Sequence, residues 1–237
     1  MPILTSTSSQ PQLTRPDGKT FSGYLAEPVG GSAGAPGVVV IQEWWGLNDQ
    51  IRGVADRLAA AGYVALVPDL YRGQSTVEAE EAHHLMTGLN FGDAAAQDVR
   101  AAVQFLKARC PKVGVTGFCM GGALTVLSLT MVPEADAGVI WYGFPPLEYV
   151  NAAAIKVPVM GHWAEQDEPF PIAGVDALEA RLAEAGVAYT GHRYLAHHGF
   201  ANETAQGPDR IALTQYDAAW ASMAWDRTLR FLGRHLG

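Results

Sequence analysis

The residues best suited to covalent chemistry are Gly117-Phe118-Cys119-Met120-Gly121, a G-x-C-x-G pattern. The apolar, β-branched run from Val113 predicts a buried strand before it, and the pattern from Met120 to about Met131 predicts a helix after it. A strand that turns at once into a helix leaves its corner residue strained and its side chain projecting. Side chains two positions before and after would collide, so both are glycine. The helix then aims its N-terminal dipole and free N–H groups at the sulfur, which favours thiolate. A free cysteine is usually a small buried hydrophobe, but such a residue needs no glycine on either side. Cys119 is therefore the candidate nucleophile.

A thiol with a pKa of about 8.5 is mostly protonated at neutral pH and needs a base or a positive neighbour. Enzymes built on this elbow run nucleophile, acid, histidine along the chain. His197 and His198 follow the last predicted strand, and Asp167 follows the strand before it, with Glu165 close by. The order Cys119, Asp167, His198 fits a triad, while the residues alone leave His197 and Glu165 open. Acyl transfer also needs oxyanion donors, expected from the backbone N–H groups of Met120 and Trp44. Glu43 ends a central strand just before Trp44-Trp45. A carboxylate desolvated there must be paired or protonated, which makes Glu43 a site candidate.

Positioning these groups at one edge calls for strands alternating with helices. Apolar strands are predicted at 38–42, 63–67, 113–118, 138–142, 157–163 and 188–194, with helices at about 49–61, 76–89, 93–108, 120–131, 172–185 and 216–235. Segments 10–15 and 21–27 flank Pro16-Asp17-Gly18-Lys19 and predict an edge hairpin. Residues 1–9 are polar and expected to be loose. The alternation implies an α/β fold, with a mostly parallel central sheet, helices on both faces, and reactive groups beyond the strands' C-terminal ends. Gly30-Gly31-Ser32-Ala33-Gly34 matches the serine form of the elbow, but it precedes a strand, and Pro36 rules out a helix start.

The 237 residues fit a single domain, 1–237, with no internal repeat. No stretch could span a membrane, and no basic-then-apolar leader opens the chain. A net charge of −8 argues against nucleic acid. The two cysteines, Cys110 and Cys119, bracket one strand and are about 30 Å apart, so they cannot pair. Free thiols point to the cytoplasm. No metal motif or dinucleotide fingerprint occurs, so neither metal nor cofactor is expected. The expected partner is a small ester or lactone, with no nucleic acid or membrane, and the protein a monomer or weak homodimer. A catalytically decayed binding protein and a thiol redox sensor are the competing readings; the second lacks a resolving cysteine in reach.

With these residues in view, the chain resembles the dienelactone hydrolase family from about Phe21 to its end. The likeness rests on Gln42-Glu43 followed by Gly46, Pro68-Asp69-Leu70-Tyr71, the cysteine elbow with Gly122, Asp167 and His198-Gly199-Phe200. It implies an α/β-hydrolase fold, hydrolysis of a small lactone such as 4-carboxymethylenebut-2-en-4-olide, and a triad of Cys119, His198 and Asp167. It also implies that Glu43 takes the thiol proton when substrate displaces it towards the cysteine. Tyr71, Arg72, Trp45 and Asn202 become the substrate-contact candidates. Two positions depart from the family pattern. Asn202 stands where an arginine serves the substrate carboxylate, and Arg72 lies one residue before the second arginine position, which is Gly73.

Overall fold

The computed structural model describes residues 6–208 and 210–237. The chain starts at one edge of the sheet. β1 (Ser6–Ser9) and β2 (Gln12–Thr14) both pair antiparallel with β3 (Thr20–Pro28). Gly18 closes the β2–β3 turn at a φ of 86°, which a side chain would resist. β1 corrects the expectation of a loose 1–9: Ser9 lies opposite Leu25 and Ser6 opposite Pro28. The free edge of β3 beyond β2 offers backbone partners that residue polarity does not reveal; residues 1–5 lie outside the described residues.

β4 (Gly37–Ile41) leads into α1 (Asp49–Ala60), whose Asn48 cap accepts the Ile51 N–H at 3.1 Å. β5 (Val64–Pro68) follows. α2 (Ala79–Gly88) starts later than the expected 76, because Ser75 bridges to Gly46 and the Thr76 N–H donates to the Trp45 carbonyl at 3.0 Å. The helix expected at 93–108 is three pieces: α3 (Phe91–Asp93), a π-helical turn Ala94–Val99 and α4 (Arg100–Lys107). Its widened turn carries the buried Asp98. Next come β6 (Val113–Phe118), α5 (Met120–Met131), β7 (Ala137–Trp141) and β8 (Val159–Gln166). α6 (Ile172–Glu184), β9 (Tyr189–His197) and α7 (Ala218–Leu236) complete the chain. α7 begins two residues after the expected 216, where Asp217 caps the Ala219 and Trp220 N–H groups at 3.0 Å.

The strand order is β1-β3-β5-β4-β6-β7-β8-β9, parallel from β5 to β9. Alternation along β4 builds two cores. Val39 and Ile41 join the layer beneath α4, α5 and α6, and Val38 and Val40 join the layer beneath α1 and α7. α5 is buried on nearly every side, which is why its sequence is apolar all round. The ends of five parallel strands then open on one edge. Glu43, Cys119, Tyr142, Asp167 and His198 each lie one or two residues past a strand.

Candidate active site

Cys119 sits at the β6–α5 corner with φ 54° and ψ −116°. A non-glycine residue held there costs on the order of 1–3 kcal/mol. Its backbone is fixed on both sides: its N–H donates to the Trp141 carbonyl at 3.0 Å, and its carbonyl accepts the Gly122 N–H at 2.8 Å. The flanking glycines are demanded by backbone rather than by each other's side chains. A Cβ at Gly117 would strike the Gly121 carbonyl, and one at Gly121 would strike the carbonyls of Ile41 and Gln42. This crowding brings the end of β4 against the start of α5. Among the described residues, the N–H groups of Trp44 and Met120 donate to no protein acceptor.

Asp167 and His198 meet across β8 and β9. The His198 Nδ1 lies 2.8 Å from Asp167 Oδ2, and Asp167 Oδ1 accepts the Phe170 N–H at 2.8 Å. Both side chains are buried. The Phe170 ring stacks on the imidazole at 5.5 Å, and Tyr142 meets it edge-on at 5.2 Å. Burial by itself would lower the His198 pKa. The charge of Cys119, and the hydrogen bond and charge of Asp167, outweigh burial and hold it well above the ordinary value. His197, one residue earlier on β9, is exposed, as strand alternation requires, and Glu165 is exposed on β8.

Glu43 is buried beside this pair. Its Oε1 accepts the Tyr142 hydroxyl at 3.1 Å and its Oε2 accepts the Asn202 amide at 2.6 Å. Burial raises its pKa, and the nearby His198 and the two hydrogen bonds oppose that rise. Tyr142 is the group that residue spacing misses. Its one sequence signal is its position at a strand end before Gly143, where a Cβ would strike the Cys119 carbonyl.

The substrate-contact candidates do not all face the cavity. Arg72 is turned away from the cavity: it grips Asp98 with two bonds of 2.8 and 2.9 Å and covers the Phe21 ring. A buried carboxylate needs cations, and Asp98 takes both Arg72 and Arg15. Tyr71 is buried under the elbow, its hydroxyl 3.2 Å from the Met120 sulfur. Asn202 reaches the cavity wall, but its amide nitrogen is committed to Glu43 and its oxygen to Thr204 at 2.7 Å. Trp45 does line the cavity and packs edge-on against Trp44 at 5.0 Å.

The cavity above Cys119 measures about 780 Å³. Besides the two tryptophans, its walls include Phe144, Pro146 and Tyr149 from the loop after β7, which residue spacing does not single out. Among the described residues, no cluster of three His, Cys, Asp or Glu side chains is placed to hold a metal ion, and no helix is long and apolar enough to cross a membrane.

A family model described as the dienelactone hydrolase family matches residues 21–236. Protein usf of Aquifex pyrophilus is 35% identical over 236 residues, covering 93% of this chain and 96% of its own length. A protein named "Putative carboxymethylenebutenolidase" in Aquifex aeolicus (strain VF5) is 33% identical with the same coverage. Among solved structures, a dienelactone hydrolase-like promiscuous phosphotriesterase from metagenomic libraries superposes with a TM-score of 0.87, covering 98% of this chain and 100% of its own. At 24% identity, that likeness bears on the fold alone.

Proposed function

Because this chain belongs to the dienelactone hydrolase family of carboxylic ester hydrolases, with the α/β-hydrolase fold, we propose that it cleaves an ester or lactone through an acyl-enzyme on Cys119. The observation that carries this reading is the buried Asp167–His198 pair beside a cysteine at a positive-φ corner. His198 takes the thiol proton. The sulfur attacks the carbonyl carbon, and the oxyanion forms against the free N–H groups of Met120 and Trp44. The C–O bond then breaks, and His198 returns the proton to the departing alcohol oxygen, which in a lactone stays tethered to the acyl group. Water, deprotonated by His198, attacks the thioester, releases the acid and restores the thiol. Asp167 holds the imidazole tautomer and its charge.

Glu43 has a donor on each oxygen, Tyr142 and Asn202, and the charge it faces is that of His198. That favours a role as counter-charge to the His198 imidazolium over direct removal of the thiol proton.

The test is a panel of esters and lactones with the native protein and Cys119→Ala. Turnover that vanishes in the variant, with a mass increment of one acyl group trapped on Cys119 of the native protein, is expected. Turnover that survives Cys119→Ala overturns the mechanism.

A further inference from the structure

We propose that the substrate is a neutral ester carrying a bulky or long hydrophobic group, which runs from Cys119 to the mouth of the cavity; this rests on the ester-hydrolase reading above. The first observation is size. A lactone of about ten heavy atoms is far smaller than the ligands that fill sites of roughly 300–1,000 Å³, and this cavity holds about 780 Å³.

The second observation is the chemistry of the walls. Trp44 and Trp45 follow β4, Met86 comes from α2, Leu127 from α5, and Phe144 and Phe170 from the loops after β7 and β8. Five separate segments therefore present apolar surface to one space. Its fixed polar groups have their partners already: Glu43 is bound by Tyr142 and Asn202, and Asn202 by Thr204. Among the described residues, Arg210 is the one arginine or lysine on the wall, and it is exposed. Arg72, the other candidate for a substrate carboxylate, is spent on Asp98. An anionic substrate would therefore bring its charge next to Glu43 with no buried arginine or lysine to meet it, and the His198 imidazolium already answers Asp167 and Glu43.

The third observation is the mouth. Val77 is 86% exposed, Tyr149 64% and Leu213 42%, and all three line this cavity. Exposed apolar side chains scattered singly need no explanation. Three that line the same apolar cavity as Cys119 place unpartnered apolar surface where the cavity meets solvent. A chain that extends from the nucleophile into solvent can cover them.

The experiment measures kcat/KM for p-nitrophenyl acetate, butyrate and octanoate as monomers, each normalised to its rate of alkaline hydrolysis, and for 4-carboxymethylenebut-2-en-4-olide. Each buried methylene can raise kcat/KM by up to about fourfold. The expected result is a gain of at least about tenfold from butyrate to octanoate, with the anionic lactone the poorest substrate. A double Val77→Ser and Leu213→Ser variant should lower the octanoate-to-acetate ratio severalfold. Equal or falling rates with chain length, or preference for the lactone, overturn the proposal while leaving the hydrolase intact. A gain that appears only with micelles or vesicles also overturns it, since the rim would then be docking on a lipid surface. Absence of turnover on every substrate would instead remove the hydrolase reading itself.

Discussion

At the scale of single residues, two neighbours with the same side chain have opposite environments. His198 is buried against Asp167 and beside Cys119, while His197 faces solvent. His198→Ala should therefore lower kcat/KM by about 10²–10⁴-fold, the usual contribution of a positioned base. His197→Ala should stay within a few fold. A steady-state comparison on one ester decides it; a larger loss from His197→Ala would reject the assignment.

Glu43 yields a pH prediction. The Asn202 amide and Tyr142 hydroxyl stabilise its charged form, so removing either donor raises its pKa beyond what burial already does. If ionised Glu43 supports the His198 charge, the acid limb of kcat/KM moves to higher pH in Asn202→Ala and Tyr142→Phe. A pH–rate profile that keeps its acid limb in place in both variants would free Glu43 of that role.

At the scale of elements, buried polar groups fasten segments together. Asp98, on the π-helical turn, holds Arg15 at the β2–β3 turn and Arg72 after β5. Asp98→Asn should cost up to about 3 kcal/mol, the low end for a broken buried pair, because Arg72 can turn to water and Arg15 keeps Asp93. The urea midpoint reports this loss, while ester kcat/KM should change less than about threefold. A KM rise in Arg72→Gln without a stability loss would return Arg72 to the substrate.

His162 fastens β8 to β9 and α7: it lies 2.9 Å from the Tyr194 hydroxyl and 2.9 Å from the Thr228 hydroxyl. Burial drives its pKa well below the ordinary 6.5. The unfolded chain therefore takes up a proton near pH 6.5 that the folded chain refuses. This contribution to stability is complete above that pH and is lost as pH falls towards the folded value. The raised pKa of His198 works with the opposite sign, its contribution being present at low pH and lost as pH rises. The difference between native protein and His162→Gln isolates the first effect. Below pH 6.5, Tm should fall more steeply in the native protein; parallel slopes would contradict it.

At the scale of the whole molecule, β6 separates two thiols with different surroundings. Cys110 is buried at the strand's start, against Gly37, and burial raises its pKa. Cys119 stands at the other end, in the cavity. Brief iodoacetamide treatment of the folded protein should alkylate Cys119 alone, and treatment in urea should alkylate both. Mass spectrometry of peptides gives the ratio, and equal labelling in the folded state would count against the reading of the elbow.

The order of elements, the elbow and the residues beyond the strand ends were legible in the sequence, because they depend on local rules. β-branched runs make strands, an alternating pattern makes a parallel sheet, and glycine marks the corner where Cβ atoms do not fit. Adjacent residues on a strand face opposite ways, so His197 and His198 could not share a site, although the register that buries His198 is set by β8. What the sequence could not determine was the partner of each polar group. Arg72 and Asn202 were both expected to touch substrate, but Asp98, 26 positions away from Arg72, and Glu43, 159 positions away from Asn202, had already engaged them. Tyr142 gained its role the same way, 99 positions from the carboxylate it donates to. A buried charge must find compensation wherever the folded chain brings it, and only the tertiary structure decides which distant side chain supplies it.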